Sequence, residues 1–402
     1  MNLLDTASLV VTPNGYKASK LYSIIPTDGS GDMTFARTGD TATRVNSSGL
    51  IESVLANKPR LDYYNSTCPK LLLEPQRTNT AKNSGNLSLN DLQDVSIGNN
   101  TIASPDGTIN ADSIIENGTT GIHVLYNYNF TFVSGTTYTF SVWCKKGTRD
   151  FVALNLNDGG AYLGYFNLNT GVIGVVATGL TAKMENYGNG WYRCSITKTF
   201  TATAGGFAIY AANSNGNTSY AGINGNTAIY GFGLQLEAGA YATSYIPTTT
   251  ASVTRNADSC TKSSISSLIG QTEGTMFADL NLDTRLSYHY LFVRNAAVTN
   301  YIGIKITASQ IGLEVVDSNV VQANINLTNS STGRFKIALA YKANDFVIYI
   351  NGVQIGTDTS GTVPTCDTLD LYYNITNKVN LNSTALWKTR LQNSELATLT
   401  AL

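Results

Sequence analysis

Charge is scarce in this sequence. Asp, Glu, Lys and Arg make up 13% of the 402 residues, against roughly 25% in an ordinary globular protein. The 26 basic and 27 acidic residues leave a net charge of -1, and the pI is about 6.1. A nucleic-acid binder needs a basic stripe to neutralise phosphates, so that class is excluded. Histidine is rarer still: His123 and His289 stand alone and far apart. Metal-assisted or histidine-based nucleophilic catalysis has little to work with. Five cysteines (Cys68, Cys144, Cys194, Cys260, Cys366) form an odd set without a CxxC pair. That predicts neither a disulfide framework nor a zinc site. No apolar run approaches the ~18 residues of a membrane helix, and mean hydropathy is -0.06. The start, MNLLDTASLVVTPNGYKASK, carries no basic leader with an apolar core, so no secretory signal is expected. Hydrophobic residues at 42% exclude a disordered chain.

What is abundant is Asn, Thr, Ser, Gly (36) and Tyr (23). Short β-branched and aromatic runs alternate with Asn/Gly/Ser clusters, and long helical periodicity is missing. The predicted class is all-β: two consecutive antiparallel β-sandwiches of jelly-roll type behind an irregular, extended N-terminal region. The expected divisions are an N-terminal assembly region at 1–80, a first sandwich at 81–247, a Thr-rich linker at 248–258 and a second sandwich at 259–402. Pro69 and Pro75 flank Leu71, Leu72 and Leu73, which makes a central strand unexpected there. That apolar arm must bury itself, either as a strap on its own chain or around a neighbouring copy.

Period-2 alternation assigns strand faces. Tyr138, Phe140, Val142 and Cys144 share one, opposite Trp143 and Lys145. Val152, Leu154 and Leu156 share another, opposite Asn155 and Asn157. Tyr192, Cys194, Ile196 and Phe200 align, with Trp191 and Arg193 pointing away. Tyr230, Phe232, Leu234 and Leu236 are placed together by the same count. Further on, Phe335, Ile337, Leu339 and Tyr341 align, as do Phe346, Ile348 and Ile350. Asn351-Gly352 predicts a tight hairpin. The C-terminal NSELATLTAL predicts a helix capped by Asn393 or Ser394, with Leu396 and Leu399 on one face.

Three stretches carry a resemblance. FARTGDTATRVNSSGLIESVLANKPRLDYYNSTCPKLLLEPQRTN, at about 33–79, is similar to a segment of fibre, spike and tail proteins of tailed bacteriophages and prophages, notably those of Bacteroidetes hosts. SGTTYTFSVWCKKG, NGWYRCSITKTFTA and IYGFGLQLEAGAYATSYIPT, within 104–247, resemble a carbohydrate-binding-module-like jelly roll. RFKIALAYKANDFVIYINGVQIG and the terminal Leu391, Glu395, Leu396, Leu399 pattern resemble a concanavalin A-like or laminin-G-like sandwich. The resemblance implies a non-enzymatic virion protein made in the host cytoplasm. It would be a head- or tail-fibre subunit, homotrimeric, docked to capsid or tail proteins through its N-terminal region and adhering to surface glycans. A polysaccharide depolymerase would need an acid pair or β-helical repeats, and neither is seen. A cellular secreted lectin or adhesin would need a signal peptide.

Candidate carbohydrate contacts follow from the polar faces. Trp143 and Trp191 offer flat rings for a sugar, with Arg193 and Asn155 to bond hydroxyls. The other reading packs that face against another part of the chain or a neighbouring subunit. Tyr126, Tyr128, Tyr162 and Tyr165 cluster near loops, in a Tyr/Asn/Ser/Gly composition typical of adaptable binding surfaces. Leu71, Leu72 and Leu73 are the candidate assembly residues. Asp106 and Glu237 are the pair that the jelly-roll resemblance suggests for a structural calcium ion, although Asp106-Gly107 also reads as a turn.

Overall fold

The fold was analysed in a computed structural model, which describes residues 3–285, 289–373 and 376–402, with the side chains of His289 and Tyr290 outside that set. The chain is all-β, as the alternation predicts, and its pairings are antiparallel. It divides into two compact units. One comprises residues 1–40, 54–76 and 256–402, the other 41–53 and 77–255. No helix of the described residues is long and apolar enough to cross a membrane.

The first unit is built on one sheet of 16 strands among the described residues. From Val320–Thr328 at one edge it runs through Gln310–Asp317, Tyr301–Ile306, His289–Arg294, Thr368–Tyr373 and Ser259–Lys262. Three N-terminal strands follow: Met33–Ala36, Lys20–Ile25 and Leu9–Lys17. The sheet continues through Val379–Trp387, Glu273–Leu282, Gly333–Lys342 and Asp345–Ile350 to Val353–Asp358. Ile304 and Leu313 from the first half share one core with Ile337, Leu339, Phe346 and Ile348 from the second. The sheet therefore folds back on itself as a sandwich, and the N-terminal strands join its halves.

This corrects the expected N-terminal region. Residues 1–80 are not one separate region: the strands within 9–36 fill the middle of the sheet, whereas 41–53 and 77–80 belong to the other unit. The Leu71–Leu73 arm is corrected too. It lies in the strand Lys70–Leu73, paired Leu73 with Val379 and Leu71 with Leu381, and the three leucines are at most 2% exposed. Pro69 and Pro75 sit just outside the strand, where no ladder donor is lost. Their burial against their own chain removes them as intersubunit contacts.

Four charged side chains are sealed into this unit. Arg60 bonds Glu74 at 2.7 Å and also reaches Asp258; Arg37 meets Asp258 at 3.3 Å; all four side chains are fully buried. The outer face of the strands Glu273–Leu282 and Gly333–Lys342 changes character along its length. Phe277, Ala338, Ala340 and Trp387 are covered by Leu391 and Leu396 of the C-terminal segment. The helix Asn393–Thr400 is capped by Gln392 rather than by Asn393 or Ser394, and the Glu395 carboxylate accepts the Gln392 N–H at 2.7 Å. Asn351 (φ 49°) and Gly352 (φ 82°) form the predicted hairpin turn.

The second unit is a sandwich of two sheets. One orders Val95–Ala103, Ile109–Glu116, Asn226–Ala238, Thr137–Lys146, Trp191–Thr199 and Thr181–Gly188. The other orders Val172–Val176, Leu163–Asn167, Phe151–Asn157, Ala204–Ala212, Thr120–Thr131 and Ser219–Ala221, with Asp91–Gln93 also on Thr120–Thr131. Phe140, Val142, Cys144, Leu154, Cys194 and Ile196 fill the space between them, as alternation predicts. One strand departs from it. Ser141 pairs with Gln235 but Trp143 with Phe232, an extra residue on the second strand. The bulge falls at Gly233, whose φ of 72° a side chain rarely adopts. It sends Leu234 and Leu236 into the core and turns Tyr230 and Phe232 to the opposite face. The Thr-rich segment 248–258 is not a free linker either: its Val253–Arg255 pairs with Arg77–Asn79.

Candidate functional site

The outer face of the six-stranded sheet carries the residues that parity grouped there. Across three paired strands one row reads Arg193, Trp143, Phe232, and the next reads Trp191, Lys145, Tyr230. The rows meet different fates. Trp143 is fully buried, packed with Ile51, Phe232 and Tyr245. The Arg193 guanidinium lies 4.3 Å from the Trp143 ring centroid, and it bonds the Thr243 carbonyl at 2.6 Å and the Ser141 hydroxyl at 3.0 Å. Burial pushes the Tyr245 hydroxyl up to about 12. Trp143 and Arg193 are thus structural, roofed by the hairpin Ala42–Val45/Ile51–Val54 and by the segment after the last strand of the sheet. A sugar has no access to either.

Trp191 stands at the edge of that roof. The strand Trp191–Thr199 follows a two-residue turn, Asn189 (φ 52°) and Gly190 (φ 78°), which places the indole at the strand start. Its Nε1 donates to the Ala103 carbonyl at 3.1 Å. Beside it opens a pocket of about 430 Å³, lined by Leu50, Ile102, Lys145, Tyr187, Trp191 and Tyr230 among others. The volume falls in the roughly 300–1,000 Å³ range of small-ligand sites. Trp191 is 3% exposed, so it forms the floor, while Tyr187 and Tyr230 are half-buried walls. The Lys145 ammonium supplies a donor in an otherwise aromatic and backbone-rich lining.

The remaining sequence candidates lie on the other sheet. Asn155 is buried and its Oδ1 accepts the Tyr162 N–H at 3.0 Å, so it does not join the tryptophans. Tyr126 and Tyr128 stack at 5.0 Å on the outer face of the seven-stranded sheet, half-buried. Tyr210, absent from the sequence reading, joins them: burial, then its bond to Tyr128, raises its hydroxyl above the usual tyrosine range. Tyr165 is 5% exposed. Tyr162 is held apart, with the Lys198 ammonium 3.7 Å from its ring centroid.

Asp106 and Glu237 do not form a calcium site. Asp106 Oδ1 accepts the Thr108 N–H and hydroxyl at 2.7 Å each, the turn its sequence also allowed. Glu237 is fully buried and accepts from Thr243 and Gln235. Among the described residues no group of three or more His, Cys, Asp or Glu is placed to hold a metal ion. Sequence reasoning missed Tyr187 and Tyr230. The signal for Tyr230 was Gly233 inside an apolar strand, a mark of a bulge.

No family model matches the chain, and no curated protein matches it. Solved structures do. The NanB sialidase from Streptococcus pneumoniae matches at 16% identity over 34% of this chain and 25% of its own, with a TM-score of 0.30. The CBM40 domain of Ruminococcus gnavus IT-sialidase, bound to α2,3-sialyllactose, matches at 13% identity over 33% of this chain and 84% of its own, TM-score 0.29. The botulinum neurotoxin type G receptor-binding domain matches at 12% identity over 36% of this chain and 39% of its own, TM-score 0.29. The chain thus spans a quarter of the NanB sialidase, and at these values likeness transfers no activity.

Proposed function

We propose that this protein is a non-catalytic glycan-binding adhesin, and that the Trp191 pocket takes a saccharide unit. The observation that carries this is the row Trp191, Lys145, Tyr230 on three adjacent strands, opening into a pocket walled by Tyr187. Apolar ring faces suit the C–H face of a pyranose, and the ammonium and backbone groups suit its hydroxyls. The buried or half-buried carboxylates of this unit are engaged: Glu116 with Arg149, Asp158 with Lys198, Glu237 with Thr243. That supports binding rather than hydrolysis. The wider role follows the resemblance of residues 33–79: a head- or tail-fibre subunit of a tailed phage, trimeric, displayed on the particle. Weak sites suffice there, because copies on one particle raise the effective concentration.

The test is a saccharide titration followed by tryptophan fluorescence. Trp143, Trp191 and Trp387 are the only tryptophans in the sequence. A saturable change lost in Trp191→Phe, with binding weakened at least tenfold in Tyr230→Ala, supports the reading. A glycan array without a single saturable ligand, or release of reducing ends from a polysaccharide, overturns it. Mass by light scattering tests the trimer, and a monomer at micromolar concentration removes the fibre role.

A further inference from the structure

We infer that the first unit carries a second saccharide site, a groove on the outer face of its sheet with polar and apolar walls. It is independent of the Trp191 pocket. The groove has two lobes that share Arg334. One, of about 350 Å³, is lined by Cys68, Lys70, Asn281 and Asn382. The other, of about 250 Å³, sets Thr12, Lys336 and Ser383 beside the apolar Val10, Phe277 and Leu399. Between them Arg334 binds Asp279 through Nε at 2.9 Å and Nη2 at 2.5 Å, and Asn382 donates to the same carboxylate at 2.7 Å.

Alternation explains why this face is polar. Leu280, Leu282, Phe335 and Leu381 point into the core. Asn281, Arg334, Asn380 and Asn382, their strand neighbours, therefore point outward. The C-terminal helix covers only the apolar part of this face, leaving the Asn-rich part open.

Unmet hydrogen bonds point to the ligand. Asn281 and Asn380 are directly opposite on paired strands. Of this pair Asn281 lines the groove, and its Oδ1 is buried without a partner, as is the hydroxyl of Thr12 in the other lobe. Orphaned buried oxygens are costly and call for a donor. Acceptors beside Arg334 and Lys70 donors match a vicinal diol, whose hydroxyls give and take at once. A bare anion would meet the amide oxygens with the wrong sign. Among the lining residues Lys70, Lys336 and Arg334 stand against Asp279. This cationic excess admits acidic as well as neutral sugars.

Cys68 makes the groove testable. It lines one lobe and is the exposed member of five free cysteines, the other four being buried. Its alkylation rate in the full chain reports occupancy. Maltotriose, cellotriose and trigalacturonate are the probes, the last separating acidic from neutral sugars. At least one is expected to slow Cys68 alkylation at least fivefold, saturably. Asn281→Ala and Arg334→Gln should each abolish the slowing, while Tyr230→Ala leaves it intact. Two substitutions keep the test open if one fails to fold. Unslowed alkylation with all three probes, or slowing that survives both substitutions, overturns the proposal. A Trp191 response without Cys68 protection defeats the groove alone; Cys68 protection without a Trp191 response defeats the pocket alone.

Discussion

Arg37 and Asp258, 221 residues apart, form a buried ion pair at 3.3 Å in the first unit. Asp258 also receives Arg60 and the Glu74 N–H. One carboxylate thus ties the N-terminal strands to the start of the C-terminal part of that unit.

Replacing Asp258 with Ala leaves two buried guanidinium groups short of a counter-charge. Removing one partner of a buried pair costs about 3–5 kcal/mol. Urea unfolding should show the first unit losing that much, with the transition of the second unit unmoved. A loss under 1 kcal/mol contradicts the network's role.

Deleting residues 1–80 removes the strands that bridge the two halves of the 16-stranded sheet. The truncated chain is expected to lose cooperative unfolding of its C-terminal part and to expose apolar surface to a dye. A truncated chain that melts sharply would mean the C-terminal sandwich closes without them. Leu71→Ala tests the same point gently. It should cost about 2–5 kcal/mol as a core truncation, without changing solution mass from that of the unaltered chain.

Gly233→Ala meets two obstacles at once. The added Cβ would lie 2.8 Å from the Trp143 ring, at a φ of 72°. Overpacking costs about 1–3 kcal/mol, and the left-handed conformation about 1–2 more. Thermal unfolding of the second unit should shift down by several degrees or more. An unchanged melt would show that the bulge relaxes.

Acid should weaken the second unit through Glu116. Burial would raise its carboxyl, but Arg149, Asn226, Tyr220 and the Ile223 N–H hold it below the ordinary 4.5. Because the folded value is the lower one, its contribution is complete above the unfolded value. It is lost as pH falls through the folded one. Stability measured from pH 7 to 3 should drop below about 4.5, and Glu116→Gln should flatten that drop. An equal drop in the variant assigns the effect elsewhere.

Thiol titration of the native chain should find one fast cysteine, Cys68, and five after denaturation. Burial raises the Cys260 thiol and pushes Cys366 up to about 12, so neither supplies thiolate near neutral pH. A second fast thiol would point to local opening of a core.

The all-β class, most strand faces and the Asn351-Gly352 hairpin were legible in the residues. Side-chain alternation and positive-φ turns are local physics, written into adjacent positions. Even the shared face of Trp143, Trp191 and Arg193 was readable by parity. What covers that face was not. Whether Trp143 meets solvent or the Ile51 hairpin depends on contacts between segments far apart in the chain, and alternation has no term for them. The bulge at Gly233 shows the other limit. One unpaired residue reverses every later side chain, and only the partner strand reveals it. Likewise, Leu71–Leu73 announced burial through its apolarity, but only the tertiary fold chose Val379–Leu381 of the same chain as its partner.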